Sequence, residues 1–219
     1  MKRVNIGLIG FGTIGAGVAK ILLENRKVIS DRLGAELRLT KIADLDITSD
    51  RGITIPDGIL TTDVNELIDN PEIDIVIELI GGYEPARTFV SRALKSRQSV
   101  VTANKALLAK HGNELFALAR ENKVDFYYEA SVGGGIPIIK VMRESLAGNH
   151  IKSVCGILNG TCNYILTKMG DEGADFAEVL KKAQDLGYAE ADPTFDVEGV
   201  DTAHKLAILT SLAFATPID

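Results

Sequence analysis

A group of glycines near the start of the chain has the spacing of a phosphate-binding turn. The GxGxxG motif comprises Gly10, Phe11, Gly12, Thr13, Ile14 and Gly15. It follows an apolar strand pattern over Val4–Ile9 and leads into a helical pattern over Ile14–Leu23. In that context the first glycine permits a tight turn, the second admits a pyrophosphate, and the third lets helix and strand pack closely. Because the helix dipole and free N–H groups favour a diphosphate, the motif predicts a dinucleotide site rather than a plain turn.

An acidic residue stands at the end of the second predicted strand, where dinucleotide-binding folds contact a ribose. Asp44 follows the alternating pattern Leu37–Ala43, and the long connection Asn25–Ala35 explains its distance from the glycines. A carboxylate accepts hydrogen bonds from ribose hydroxyls and repels a 2′-phosphate, so we expect NAD(P) with NAD preferred. Lys41 or Arg51 could offset that charge, and a loop acid without a binding role remains the alternative.

Two more segments end strands at the same predicted edge of the sheet. The apolar run Ile73–Ile80 leads into Gly81, and Ser99–Thr102 is followed closely by Lys105. Open parallel sheets bind ligands beyond the carboxyl ends of their strands. We therefore expect Gly81 to approach the cofactor. We expect Lys105 to contact cofactor or substrate rather than to be a solvated residue at a helix start.

The elements that position these residues alternate between strand and helix over residues 1–130. Helical patterns at Val64–Ile68, Pro85–Lys95 and Leu107–Glu121 separate the strand patterns, of which Val124–Tyr128 is the last. Such alternation predicts βαβ units and a doubly wound, Rossmann-like parallel sheet with helices on both faces.

A different rhythm follows the glycine-rich stretch 132–135. It predicts a helix, a strand and three further helices at Ile138–Leu146, Ile151–Leu158, Tyr164–Met169, Phe176–Leu186 and Val200–Ala213. We therefore expect an α+β domain over residues 131–219 after a nucleotide-binding domain over residues 1–130.

The composition is that of a globular protein, with 219 residues of which 46% are hydrophobic and 25% charged. A net charge of −6 argues against binding nucleic acid or an anionic membrane through bulk charge. Two cysteines are too few for a disulfide framework. Because no apolar run approaches the ~20 residues of a membrane span, we expect a cytoplasmic protein.

Several longer strings of residues carry a resemblance to a known family. They are Thr102–Lys105, Glu129–Pro137, Gly156–Thr161, Gly187–Pro193 and Asp196–Leu206. In this order and spacing they closely resemble the homoserine dehydrogenases. The resemblance implies reversible NAD(P)-dependent hydride transfer between L-homoserine and L-aspartate 4-semialdehyde, in threonine, methionine and isoleucine biosynthesis. It also implies a homodimer joined through the substrate domain, and a chain that holds only part of that domain.

One charged pair in the last helical pattern is the candidate for proton transfer. Asp201 and Lys205 are spaced i, i+4, so their side chains share one face. The helix around them is otherwise apolar, which favours a partly buried pair. The alternative is a surface ion pair, which contributes little to stability. The resemblance makes Lys205 the acid and base, and gives Asp201 the task of holding the substrate or the lysine. Lys105 is a catalytic candidate and a donor for the substrate α-carboxylate.

Five acidic residues form a cluster that ends at Asp201, the first member of this pair. It contains Glu190, Asp192, Asp196, Glu198 and Asp201. A solvated acidic loop would have the same composition, but the α-ammonium of homoserine needs a carboxylate partner. The resemblance gives that role to Glu190, with Asp196 and Asp201 nearby. It places Tyr188 and Thr161 in the substrate pocket and Gly187 with the cofactor.

The resemblance also implies a sodium site in the stretch between the two predicted domains. Its ligands would be the Glu129 carboxylate and the backbone carbonyls of Val132, Gly134 and Ile136. Hard cations take oxygen ligands, and glycines let carbonyls turn inward. From the residues alone, this stretch is equally a glycine-rich hinge.

Two other functions stay open. A phosphorylating semialdehyde dehydrogenase needs a cysteine nucleophile, for which Cys162 is the candidate, although no histidine is evidently placed to activate it. The chain could also be an inactive NAD-binding fragment. The other cysteine, Cys155, is expected to be buried in the predicted strand Ile151–Leu158.

Overall fold

The computed structural model describes residues 1–218. They form two compact units, of which the first is Met1–Gly135 and the second begins at Ile136. Within residues 1–218, none of the helices combines the length and apolar composition that crossing a membrane requires.

A six-stranded sheet, parallel throughout and ordered β3-β2-β1-β4-β5-β6, forms the centre of the first unit. Its strands are β1 (Lys2–Ile9), β2 (Ala35–Ala43), β3 (Leu60–Thr61), β4 (Ile75–Glu78), β5 (Ser99–Thr102) and β6 (Phe126–Tyr127). The chain runs outward from β1 to β3 and then returns to β4, so the strand order reverses between β1 and β4. That switch point is where sheets of this kind bind ligands. The prediction of a Rossmann-like parallel sheet is confirmed.

Helices connect these strands. They are α1 (Thr13–Glu24), α2 (Arg26–Leu33), α3 (Asn65–Ile68), α4 (Ala86–Lys95) and α5 (Lys105–Asn122). The central strands are apolar and inaccessible at Leu8, Val76 and Val100, as expected for a sheet covered on both faces. Helix α4 contributes the stripe Val90 and Leu94 to this core.

Two elements of the first unit differ from the sequence prediction. The connection Asn25–Ala35 contains helix α2, which ends where Gly34 adopts a left-handed conformation with φ of 67°. Strand β4 is shorter than the apolar run Ile73–Ile80. The strand ends at Glu78 because the Glu78 carboxylate accepts hydrogen bonds from the following backbone and turns the chain.

The second unit consists of helices joined by irregular segments over its described residues. Helix α6 (Ile138–Lys140) continues as π-helical turns over Val141–Ser145. The remaining helices are α7 (Gly160–Glu172), α8 (Phe176–Asp185), α9 (Thr194–Val197) and α10 (Val200–Phe214). Where α7 packs on α8, a small apolar cluster forms from Ile165, Val179, Ala183 and Ala189.

The strand predicted over Ile151–Leu158 does not form. A strand needs a neighbour for its backbone hydrogen bonds, and the described part of the second unit contains no other strand. The segment is therefore irregular and largely open, with Ile157 74% exposed. The prediction that Cys155 is buried is wrong for the same reason, because Cys155 is exposed. Where an α+β region was predicted, residues 136–218 are helices joined by irregular segments.

Candidate active site

The glycine turn between β1 and α1 shows which of its glycines the protein itself requires. Gly10 has a φ of 98° and donates its N–H to the carbonyl of Ala43. A Cβ on Gly15 would lie 2.0 Å from the Gly10 carbonyl oxygen, so only glycine fits there. A Cβ on Gly12 would meet nothing within 4 Å. The first and third glycines serve the fold, whereas the open space at Gly12 suits a bound group.

The amino end of α1 is free to bind an anion. Gly12 is the N-cap, and no side chain among the described residues caps the helix there. Thr13 and Ile14 are exposed at this end, and the first N–H groups of a helix lack partners within it. Together with the helix dipole, these groups fit the pyrophosphate of a dinucleotide.

Asp44 is attached to the glycine turn. One carboxylate oxygen accepts a hydrogen bond from the backbone N–H of Phe11, and the other accepts from that of Asp46 at 2.8 Å. Asp44 also lines a cavity of about 290 Å³ at the carboxyl edge of the sheet, with Ile80 and Phe89 among its apolar walls. An apolar cavity with one carboxylate fits a flat ring joined to a hydroxylated sugar.

The two cations that could offset Asp44 are both engaged by other acids. Lys41 Nζ lies 2.8 Å from Glu66 Oε2 and 3.1 Å from the carbonyl oxygen of Gly58. Hydrogen bonds from Lys41 and Thr61 lower the pKa of Glu66 below its usual value. Arg51 donates to Asp46 at 2.9 Å.

A buried carboxylate that sequence reasoning missed organises the carboxyl edge of the sheet. Glu78 is completely inaccessible, yet it accepts three hydrogen bonds. They come from the backbone N–H groups of Ile80 and Gly81 and from the Thr102 hydroxyl at 2.6 Å. In the sequence, the one feature that could have indicated this role is an acidic residue near the end of the apolar run Ile73–Ile80. Glu78 therefore fixes the loop that contains Gly81.

Lys105 opens helix α5 at the same edge. The preceding Asn104 caps this helix by accepting from Leu107 N–H, and its amide donates to the Gly82 carbonyl at 2.7 Å. Lys105 itself is half-buried. The structure thus places the loop of Gly81 beside the start of α5, where Lys105 lies, as the strand ends indicated.

The second unit contains a cavity of about 570 Å³ whose lining residues are mainly polar or charged. Its walls are Asn159, Gly160, Thr161, Tyr164, Tyr188, Asp196, Asp201 and Lys205. Lys205 Nζ lies 2.6 Å from Asp201 Oδ2 and 2.8 Å from the Leu158 carbonyl oxygen. The Asp201 and Lys205 side chains are only 8% and 19% exposed, so this pair differs from a solvated surface ion pair.

Asn159 joins the acids of this cavity and was missed as a site residue. Its amide nitrogen donates to Asp196 Oδ1 at 2.8 Å and to Asp201 Oδ2 at 2.9 Å. Its amide oxygen accepts from Cys162 N–H and so caps α7. The sequence shows an asparagine before a glycine at a turn, but the partners lie 37 and 42 positions away.

Other predicted substrate residues are distributed unevenly around the cavity. The Thr161 hydroxyl donates to the Tyr188 carbonyl at 2.7 Å, and the Tyr188 ring packs 5.2 Å from that of Tyr164. Gly187, with a φ of 76°, lies in the turn before Tyr188 and does not line the cavity. Glu190 is exposed and is not part of the cavity wall either.

The environment of Cys162 does not suit a nucleophile. Its thiol donates to the Asp196 carbonyl at 3.0 Å. Burial, followed by the charges of Asp196 and Asp201, raises the pKa of the Cys162 thiol. Since the thiolate is the nucleophile, this site suppresses the reactive form. The thioester chemistry considered for Cys162 is therefore disfavoured.

The residues of the implied sodium site lie in a turn-rich stretch. Glu129 begins a single 3₁₀ turn, Val132 is 1% exposed, and Ile136 is 63% exposed. Gly134 stands between two glycines in left-handed conformations. Within residues 1–218, no cluster of three or more His, Cys, Asp or Glu side chains could hold a metal ion. A site here would depend on carbonyl oxygens, and it stays a prediction.

Comparison with known proteins matches both parts of the chain to one family. The family model described as "Homoserine dehydrogenase, NAD binding domain" matches residues 10–129. The model described as "Homoserine dehydrogenase" matches residues 137–219.

Individual relatives carry the same description. A homoserine dehydrogenase of Neisseria gonorrhoeae is 51% identical over the whole chain, which covers 50% of that protein. The crystal structure of a homoserine dehydrogenase from Thiobacillus denitrificans superposes with a TM-score of 0.94 at 50% identity, over all of this chain and 51% of the other. A hyperthermophilic archaeal homoserine dehydrogenase in complex with NADPH is 31% identical, with a TM-score of 0.84 over 98% of this chain and 71% of that one.

The chain spans about half the length of the curated relatives that it matches. Both family models fall in succession along it, with the NAD-binding model on the glycine turn and the second on the Lys205 cavity. The chain therefore belongs to the homoserine dehydrogenase family.

Proposed function

We propose that this chain carries the coenzyme and substrate sites of an oxidoreductase that interconverts L-homoserine and L-aspartate 4-semialdehyde with NAD(P). The observation that carries the proposal is the largely buried Lys205–Asp201 pair in the wall of the cavity in the second unit. Reduction of an aldehyde needs a proton donor beside the carbonyl oxygen, and a lysine held in place by a carboxylate supplies one. The glycine turn of the first unit supplies the coenzyme site.

Lys205 is the proposed general acid and base. In the reducing direction its ε-ammonium donates a proton to the carbonyl oxygen, which becomes the hydroxyl group of homoserine. In the oxidising direction the neutral amine takes the hydroxyl proton, and the balance is alcohol plus NAD(P)⁺ to aldehyde, NAD(P)H and a proton. Asp201 and the Leu158 carbonyl occupy two of the three lysine donors, which leaves one for the substrate. A coenzyme held at the glycine turn Gly10–Gly15 would supply the acceptor or donor of the hydride.

Carboxylates and hydroxyl groups around Lys205 suit an amino-acid substrate. We assign the α-ammonium group to Glu190, with Asp196 and Asp201 nearby, and place Thr161 and Tyr188 along the substrate. Asp196 lies in the cavity wall, whereas Glu190 would have to move to reach a ligand there. Lys105 is the proposed partner of the α-carboxylate and a further catalytic candidate.

The coenzyme is proposed to be NAD rather than NADP. The support is Asp44, which lines the apolar cavity while Lys41 and Arg51 are engaged by Glu66 and Asp46. An uncompensated carboxylate repels a 2′-phosphate. The test is the ratio of kcat/KM for NAD and NADP in the protein and in Asp44→Ala. An unchanged ratio in the variant would show that Asp44 does not determine the coenzyme preference. Gly81 and Gly187 stay predicted cofactor contacts.

The remaining expectations are a sodium ion, a homodimer and a cytoplasmic location. The sodium proposal uses the Glu129 carboxylate with carbonyls of Val132, Gly134 and Ile136, and oxygen-only ligands suit a hard cation. We expect that replacing sodium in the assay buffer by a large organic cation reduces turnover. Unchanged turnover would contradict a role for the ion. Light scattering of the purified protein tests the dimer, and a monomer would contradict it.

The experiment that tests the proposed activity is a steady-state assay with L-homoserine. Reduction of NAD or NADP is followed by absorbance, with L-serine as the control substrate that is one methylene shorter. We expect turnover with homoserine and none with serine. A protein that binds the coenzyme but never oxidises homoserine would contradict the proposal and favour the reading as an NAD-binding fragment.

A further inference from the structure

The dipeptide Leu158–Asn159 contacts both members of the Lys205–Asp201 pair. The carbonyl oxygen of Leu158 accepts from Lys205 Nζ at 2.8 Å, and the next side chain, Asn159, donates to Asp201 Oδ2 at 2.9 Å. The same Asp201 oxygen accepts from Lys205. The Lys205 ammonium and the Asp201 carboxylate therefore bind to each other, and each also binds to the dipeptide Leu158–Asn159.

The Asn159 side chain uses nearly all of its hydrogen-bonding capacity. Both amide hydrogens are donated, one to Asp196 and one to Asp201. The amide oxygen accepts from Cys162 N–H at 2.8 Å. These partners also fix the orientation of the amide, because the reverse orientation would aim an oxygen at two carboxylates and hydrogens at an N–H group. Asn159 is only 8% exposed; its hydrogen bond to Asp201 is buried, and those with Asp196 and Cys162 are partly buried.

Helix capping alone does not account for asparagine at this position. The cap of α7 needs only an acceptor, which serine or aspartate provides equally well. The two donated hydrogen bonds are additional, and they bridge carboxylates on different elements, since Asp196 lies in α9 and Asp201 in α10. Without a donor between them, two acids that face one cavity would repel each other.

The chain before this dipeptide provides little support of its own. Residues 151–158 form no regular structure, and Gly156 and Ile157 are exposed. The position of the Leu158 carbonyl therefore depends on the residues that follow it. Asn159 attaches that point of the backbone to the amino end of α7 and to the two acids.

We propose that Asn159 is a positioning residue that sets the direction of the Lys205 ammonium by holding Asp201 and the Leu158 carbonyl in place. The proposal rests on the proposed function only for its effect on turnover. The geometric part, an ammonium group held by a carboxylate and a carbonyl, concerns this chain whatever reaction it performs.

Two substitutions separate this role from capping. Asn159→Ser keeps a capping hydroxyl and removes both donors without adding charge. Asn159→Asp keeps the size and the capping acceptor but adds a third carboxylate beside Asp196 and Asp201. The matched control is Asp175→Ala, which removes the N-cap of α8, where Asp175 accepts from Ala177 N–H at 2.9 Å away from the cavity.

The first readout is the KM-against-kcat split. A displaced proton carrier should lower kcat for homoserine oxidation by about 10²-fold in both Asn159 variants, while the KM for the coenzyme is unchanged. Asp175→Ala should lower the melting temperature and keep kcat. Equal kcat in Asn159→Ser and the unmodified protein would overturn the proposal, as would an equal loss in Asp175→Ala.

The second readout does not depend on activity. A nuclear magnetic resonance spectrum of lysine ε-ammonium groups should show a slowly exchanging signal for Lys205, identified by its loss in Lys205→Arg. We expect this signal in the unmodified protein and in Asp175→Ala, and not in either Asn159 variant. Its persistence in Asn159→Ser, or its absence from the unmodified protein, would overturn the positioning role. If homoserine is not oxidised but the signal behaves as expected, only the proposed function fails.

Discussion

The two units hold their chemistry in different ways. In the first unit, the glycine turn and the loop after β4 are placed by a buried parallel sheet whose residues Leu8 and Val76 are inaccessible. In the second unit, the apolar cluster around Ile165 is small, and the cavity residues are joined by side-chain hydrogen bonds around Asn159. Function in the first unit therefore depends on backbone packing, and in the second on a polar network.

The buried acids of the two units illustrate this difference. Glu78 accepts from neutral donors, the backbone N–H groups of Ile80 and Gly81 and the Thr102 hydroxyl, and it shapes a loop. Asp201 accepts from Asn159 and from a cation, and it lines a cavity. A carboxylate that anchors backbone contributes to the fold, whereas one that holds a lysine beside a cavity contributes to chemistry.

Removal of the proposed proton carrier should have the largest effect. We expect Lys205→Ala to lower turnover of homoserine by about 10²–10⁴-fold, since this is the usual contribution of general acid–base catalysis. Coenzyme affinity, measured by fluorescence titration, should be unchanged because the glycine turn is intact. The matched control is Lys168→Ala, which breaks another i, i+4 pair, with Glu172 in α7. If both variants lose activity equally, the loss reflects the stability of the second unit.

Two glycine substitutions should separate folding from binding in the first unit. Gly15→Ala places a Cβ 2.0 Å from the Gly10 carbonyl oxygen, so α1 must shift, at a cost of about 1–3 kcal/mol in the free energy of unfolding. Gly12→Ala meets no protein atom within 4 Å, so it should keep stability and weaken coenzyme binding. Chemical denaturation and coenzyme titration of both variants test this contrast. Unchanged coenzyme affinity in Gly12→Ala would contradict the assignment of the pyrophosphate to this turn.

A smaller effect is expected at Glu78. Glu78→Ala removes the acceptor of the N–H groups of Ile80 and Gly81 in a loop that is exposed to water, and each lost hydrogen bond costs about 0.5–1.5 kcal/mol. Hydrogen exchange at these two amides should accelerate. Glu78→Gln keeps one carbonyl acceptor and should exchange nearly as slowly as the unmodified protein. If Glu78→Ala leaves both exchange rates unchanged, the carboxylate does not anchor the loop.

The smallest effect is expected at Cys162. Because the pKa of its thiol is raised, the thiolate forms only at higher pH, and alkylation of Cys162 by iodoacetamide should lag behind that of the exposed Cys155 at neutral pH. Mass spectrometry of the alkylated protein gives both rates. Cys162→Ser should keep homoserine oxidation. Loss of turnover in this variant at unchanged stability would indicate that the Cys162 thiol takes part in the reaction.

Local patterns allowed much of this to be predicted from the sequence. The GxGxxG turn and the i, i+4 spacing of Asp201 and Lys205 each lie within a few residues, so the spacing itself reports the geometry. The parallel sheet follows from alternation of short apolar runs with helical patterns. These features depend on neighbours in the chain.

The features that were missed depend on distant partners. Asn159 has its role because Asp196 and Asp201 fold onto it from 37 and 42 positions away. The segment Ile151–Leu158 has the composition of a strand, but a strand also needs a neighbouring backbone, which no single segment can specify. Helix α2 is a different case: none of its residues is buried, so its sequence lacks the apolar stripe from which a helix is predicted.

The central claim is that the chain transfers hydride between homoserine and a nicotinamide coenzyme. Its most direct test uses L-homoserine deuterated at the carbinol carbon, with mass spectrometry of the coenzyme after the reaction. The account predicts that deuterium appears in the reduced coenzyme and that Lys205→Ala slows the transfer by about 10²–10⁴-fold. Reduced coenzyme without deuterium, or transfer that persists in Lys205→Ala at the unmodified rate, would contradict it.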